Sequence, residues 1–156
     1  VSARRSAGIV LFRRRNGSIE VLLGHMGGPF WARRDEGAWS IPKGEHDDDE
    51  DPLDAARREF VEETGTVVPE GDIIDLGEVR QSSRKVVRAW AVEGDLDVTT
   101  VVSNTFVLEW PPKSGIHEHF PEIDRAAWFD LATADSKIVA GQRALLATLA
   151  DRVLRD

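Results

Sequence analysis

The sequence predicts an α/β fold in which a mixed β-sheet is covered by helices on its two faces. Three observations carry this expectation. Apolar runs of strand length recur along the chain, one sharply punctuated helix lies near its middle, and an amphipathic helix closes it. Strands interrupted in this way bury one helix against each face of a sheet. At 156 residues the chain has the size of one domain, 1–156, with enough length to bury a core.

The elements follow in order. Ser6 to Arg14, centred on Ile9-Val10-Leu11-Phe12, reads as a buried strand. Asn16-Gly17 is a hairpin turn signal, and Ile19 to Leu23 is the returning strand. Gly24 to Gly37, rich in glycine and charge, reads as a loop, and Trp39-Ser40-Ile41 as a short strand ending at Pro42. Asp51 suits a helix N-cap, Pro52 the first helical position, Asp54 the positive end of the helix dipole and Gly65 the left-handed stop. Ile73 to Val79, Val86 to Val92, Thr105 to Glu109 and Ala126 to Phe129 are strand candidates. Pro111 to Glu122 reads as a loop. Leu145, Leu149 and Val153 recur every four residues, so a closing helix is expected from about Gln142.

Composition bounds the function. The 41% hydrophobic and 31% charged residues are those of an ordinary globular protein. No apolar run approaches the ~20 residues of a membrane span. Val1-Ser2-Ala3-Arg4-Arg5 has neither the apolar segment nor the cleavage site of a signal peptide, and cysteine is absent, so a cytoplasmic protein is expected. The net charge of −8 disfavours long nucleic acid as a partner. It does not disfavour a small nucleotide, because a bound divalent cation reverses the local field.

Gly44 to Thr66 is the most informative stretch. At about 100° per residue, Glu59, Glu62 and Glu63 share an arc of roughly 100° on the central helix. Leu53, Ala56 and Phe60 mark the adjoining arc that faces the core, so the carboxylates lie at the lip of a cleft. Arg58, one turn before Glu62, can brace it, and Glu50 can swing toward the helix. Carboxylates this close oppose one another's ionisation unless positive charge compensates. A hard cation such as Mg²⁺ or Mn²⁺, which prefers oxygen ligands, would do so. The competing explanation, a solvated charged helix, weakens when the whole pattern is counted. Gly44, Glu50, Arg58, Glu59, Glu62, Glu63 and Gly65 together would match by chance roughly 10⁻⁹ to 10⁻⁸ times per starting position.

Those seven residues resemble the signature box of the Nudix hydrolases. Phe60 is larger than the usual apolar residue there, and Thr66 stands where an aliphatic residue is usual. The resemblance implies an α/β/α sandwich that hydrolyses a nucleoside diphosphate linked to another group. It implies metal ligation by Glu59, Glu62 and Glu63, with a backbone carbonyl at Lys43, and a salt bridge from Glu50 to Arg58. In some members a later loop glutamate ahead of a tryptophan-bearing strand joins the site, and Glu122 matches it best. The proton acceptor is then either Glu59 or Glu122. Oligomeric state, monomer or homodimer, is left open.

Phosphate-binding candidates are Lys43, beside the metal residues, and Arg84, Lys85 and Arg88, at the start of a strand. His117-Glu118-His119 could hold a metal or supply a base, although an exposed polar loop explains it as well. Trp39 fits a core position better than a base-stacking one; Trp31 is a further stacking candidate. Asp47-Asp48-Asp49 fits a solvated acidic loop. The Trp39 to Gly44 lead-in resembles members acting on nucleoside triphosphates or dinucleoside polyphosphates. ADP-ribose, a nucleotide sugar or an RNA 5′ end are alternatives. Some Nudix-fold domains are non-catalytic nucleotide-binding modules, but those often lose box carboxylates that this chain keeps.

Overall fold

Strand β1 (Arg4–Arg15) is the spine of the sheet. In the computed structural model, which describes residues 4–154, its apolar centre is buried on both faces. Val1–Ala3, read from sequence as the lead-in to this strand, lie outside the described residues. The Asn16-Gly17 turn, with both residues at positive φ, sends the chain back into β2 (Ser18–Met26). The two strands stay paired only from Phe12 opposite Val21 to Arg15 opposite Ser18, then diverge.

The gap is filled by the next two strands. β3 (Trp39–Ser40) pairs with Gly24 and His25 of β2, and β4 (Lys43–Glu45) pairs with Ser6 to Gly8 of β1. Pro42 between them cannot donate a hydrogen bond, but its carbonyl accepts one from Ile9 N–H at 3.2 Å. β5 (Ile73–Ser82) and β6 (Lys85–Glu93) extend the sheet beyond β1, with β6 parallel to β1. β9 (Ile123–Asp130) pairs with the outer edge of β2. Parallel and antiparallel pairs together make the sheet mixed, as expected.

Helix α1 (Pro52–Thr64) covers one face. Asp51 caps it by accepting from Asp54 N–H at 3.1 Å, and Gly65 ends it at φ 77°. Its Ala55, Ala56 and Phe60 pack on Ile9, Leu11 and Trp90. The alternate residues Val10 and Phe12 face the other way, onto Leu145, Leu149 and Val153 of α3 (Arg143–Leu154). Odd and even positions of one strand thus feed two cores, giving an α/β/α sandwich.

Three elements depart from the expectation. α2 (Leu131–Lys137), capped by Asp130, adds a helix between β9 and α3. The three-residue β4 was not anticipated. Pro111 to Glu122 is not a free loop: β7 (Thr105–Glu109) and β8 (His117–Pro121) form a hairpin standing apart from the main sheet. No helix among the described residues is long and apolar enough to cross a membrane.

Candidate active site

The N-terminal ends of β1 and β6, strand β4, the outer part of α1 and the start of β9 surround a cleft of about 410 Å³. Glu59, Glu62 and Glu63 line it from the helix, Lys43 and Gly44 from β4, and Glu122 just ahead of β9. The α1 register thus places the three glutamates at the edge of the buried arc.

A relay of backbone hydrogen bonds holds Glu122 there. Asn104 N–H donates to Glu62 C=O at 2.8 Å, Glu122 N–H to Asn104 C=O at 2.9 Å, and Gly27 N–H to Glu122 C=O at 3.0 Å. The helix end, the strand connection and the loop after β2 are tied at one point. Gly27 admits no side chain there: a Cβ would lie 1.9 Å from Pro121 O.

Arg58 organises the helix carboxylates. Its guanidinium grips Glu50 through Nε and Nη2, both at 3.0 Å, and donates through Nη1 to Glu59 at 2.8 Å and Glu62 at 3.3 Å. Glu63 instead accepts from the Lys43 backbone N–H at 3.2 Å. Among the described residues, no three acidic or imidazole groups converge as a ready ligand cluster.

The donor set nevertheless fits a hard divalent cation. Burial pushes the Glu63 carboxyl up to about 8, against the opposing pull of the Lys43 amide. Burial raises Glu59 too, reinforced by neighbouring Glu62, and it raises Glu122. Several oxygen donors whose ionisation is opposed in one place are what a cation would relieve. Gly44 leaves room for them, since a Cβ there would lie 2.0 Å from the Glu59 carboxylate. Burial also holds the Lys43 ammonium below the usual lysine value.

The other candidates separate. Lys85 lines the cleft with Lys43. Arg84 and Arg88 do not: Arg84 sits in the β5–β6 turn, and Arg88 pairs with Asp75 at 2.9 Å and stacks over Trp90. His117, Glu118 and His119 are exposed on β8, outside the cleft lining. Trp39 is buried between Phe129 and His25, while Trp31 is half-buried beneath Arg34.

Sequence reasoning did not find Arg4, Glu45 or Asn104 in the lining. It also missed Gln142. This buried amide accepts from Ile41 N–H at 3.1 Å and donates to Ser40 Oγ and Gln81 Oε1, each at 3.0 Å, anchoring the β3–β4 link that carries Lys43.

A family model described as NUDIX domain matches residues 2–149. Among solved structures, a Caenorhabditis elegans Ap4A hydrolase in a binary complex is 22% identical, with a TM-score of 0.68, covering 99% of this chain and 100% of that one. The NUDIX domain of Shewanella oneidensis NrtR complexed with ADP ribose is 18% identical, with a TM-score of 0.66, covering 98% and 90%. A mutT/nudix family protein from Listeria innocua is 16% identical, with a TM-score of 0.63, covering 99% and 96%. At these identities the likeness is one of fold. No curated protein matches the chain.

Proposed function

The chain belongs to the Nudix hydrolases, enzymes acting on phosphorus-containing anhydrides, and on that premise we propose that it is a divalent-metal-dependent pyrophosphohydrolase of small nucleotides. Its best-supported substrates are a nucleoside triphosphate or a dinucleoside polyphosphate. The observation that carries this reading is the gathering of Glu59, Glu62, Glu63, Glu122 and Lys43 in one cleft.

Glu59, Glu62 and Glu63, with the Lys43 carbonyl, would hold Mg²⁺ or Mn²⁺. That ion would supply charge neutralisation on the phosphates and a lowered water pKa. Arg58 keeps Glu59 and Glu62 oriented while Glu50 fixes Arg58 from the other side. Lys43 places an ammonium group beside the helix carboxylates to offset charge on the phosphoanhydride as it breaks, and Lys85 lines the cleft farther along β1. Glu122 is the better proton acceptor of the two candidates. Its carboxylate makes no hydrogen bond or ion pair with another described residue, and burial raises its basicity, whereas Glu59 is engaged by Arg58. A water proton taken by Glu122 leaves hydroxide to attack one phosphorus, and the anhydride opens into two phosphate-bearing products.

The excess negative charge supports a small nucleotide over long nucleic acid as partner. The test is a hydrolysis panel with Mg²⁺ and with Mn²⁺, read by chromatographic separation of the nucleotide products. The panel covers nucleoside triphosphates, dinucleoside polyphosphates, ADP-ribose, a nucleotide sugar and a triphosphorylated RNA end. Hydrolysis by wild type, lost in Glu62→Gln and Glu63→Gln, is expected. Full metal-dependent turnover in either variant would overturn the ligand assignment. Nucleotide binding without turnover anywhere would make the chain a binding module.

A further inference from the structure

The cleft is charged differently along its length. The carboxylates of α1 and Glu122 gather near Lys43 and Gly44 of β4, while Arg4 and Lys85 stand side by side at the start of β1 and β6, with Glu45 near Arg4. β1 and β6 run parallel here, with Arg4 directly opposite Lys85, and Arg4 N–H donates to Arg84 C=O at 2.7 Å. Two like charges side by side in a sheet repel, which an anion between them would relieve.

Several other arginines of the sheet have close partners. Arg5 meets Glu78 at 2.7 Å, Arg88 meets Asp75 at 2.9 Å, and Arg13 meets both Glu20 and Asp95 at 2.8 Å. Lys85 has no ion pair with another described residue. Arg4 approaches only Glu45, at 3.8 Å, with the two side chains 69% and 63% exposed. That separation is beyond a hydrogen bond, and so open a pair holds its members weakly. Both cations are therefore free to meet a ligand.

Their position along the cleft indicates which ligand. Lys43 lies beside Gly8 of β1, and Lys85 lies beside Arg4, four residues earlier on the same strand. Four strand residues span roughly 13 Å. Positive charge thus continues along β1 from Lys43, beside the carboxylates, to Lys85 and Arg4, so a longer phosphate chain would meet more of it.

We propose that Arg4 and Lys85 form a distal-phosphate site that selects chains of three or more phosphates over two-phosphate substrates. The proposal rests on the pyrophosphohydrolase reading above. Arg4 offers a fork to two oxygens and Lys85 a point charge, so together they recognise a phosphate beyond those at the carboxylates.

The test compares kcat/KM for ATP, diadenosine tetraphosphate and ADP-ribose, with Mg²⁺, in wild type, Arg4→Ala, Lys85→Ala and the double variant. Both side chains are exposed, and circular dichroism checks that each variant folds. The expected result is that the selectivity ratio of tetraphosphate over ADP-ribose falls about tenfold or more in the double variant, mainly through KM. Arg4→Lys should recover part of the loss. An unchanged ratio in the folded double variant overturns the proposal, as does a wild type active on ADP-ribose alone. A wild type inert on all three nucleotides removes the underlying reading as well.

Discussion

At the scale of single residues, the site depends on which carboxylates have partners. Glu59 and Glu62 are held by Arg58 and Glu63 by a backbone amide, whereas Glu122 is fixed only through its backbone. Glu122→Gln should therefore lower kcat by about 10²–10⁴-fold with little change in KM, measured by steady-state kinetics. A loss confined to KM would assign Glu122 to binding instead. Gly44 gives a second prediction. The atoms a Cβ would strike belong to the tip of the flexible Glu59 side chain, which can swing aside at small cost to the fold. Gly44→Ala should thus keep a melting temperature near that of wild type while turnover drops about tenfold or more, because a carboxylate has been moved. Equal losses of stability and activity would show that the backbone had shifted.

At the scale of elements, the β3–β4 link is held by one side chain from the far end of the chain. Gln142 supplies the partner of a buried amide, Ile41 N–H, and Gln142→Ala leaves that donor unpaired. The expected cost is about 1–3 kcal/mol in urea denaturation. A change below that range would mean water replaces the amide. Helix α1 was legible in the sequence because its signals are local: a capping aspartate, a proline and a glycine stop. β4 was not, since three residues containing a glycine have no periodicity, and their pairing with β1 is decided by the divergence of β1 and β2. β8 begins His-Glu-His and is exposed, so it lacks the apolar alternation that marks a half-buried strand. The phosphate candidates illustrate the same limit. Lys85 and Arg88 are three apart in one strand and so point to opposite faces, and only the assembled sheet says which face borders the cleft. Arg4 was overlooked because β1 was expected to start at Ser6, while its pairing with β6 carries the strand back to Arg4.

At the scale of the whole molecule, the site sets how stability responds to pH. Glu63, raised to about 8 by burial, binds its proton more tightly folded than unfolded. Folding then takes up a proton between the ordinary glutamate value of about 4.3 and about 8, so stability falls as pH rises through that window. Glu59 and Glu122, also raised, act in the same direction. Surface carboxylates oppose them only at lower pH. Asp95, lowered by its bond from Arg13, and Asp97, lowered by Thr99, stabilise the fold when ionised and lose that contribution in acid. In EDTA the melting temperature should therefore decline from about pH 5 to about pH 8, and Glu63→Gln should flatten the decline. Saturating Mg²⁺ should raise the melting temperature more at the upper end of this range, because it competes with protons for the same oxygens. A melting temperature that rises from pH 5 to 8 in EDTA would contradict the buried-carboxylate account. So would a Glu63→Gln protein that tracks wild type.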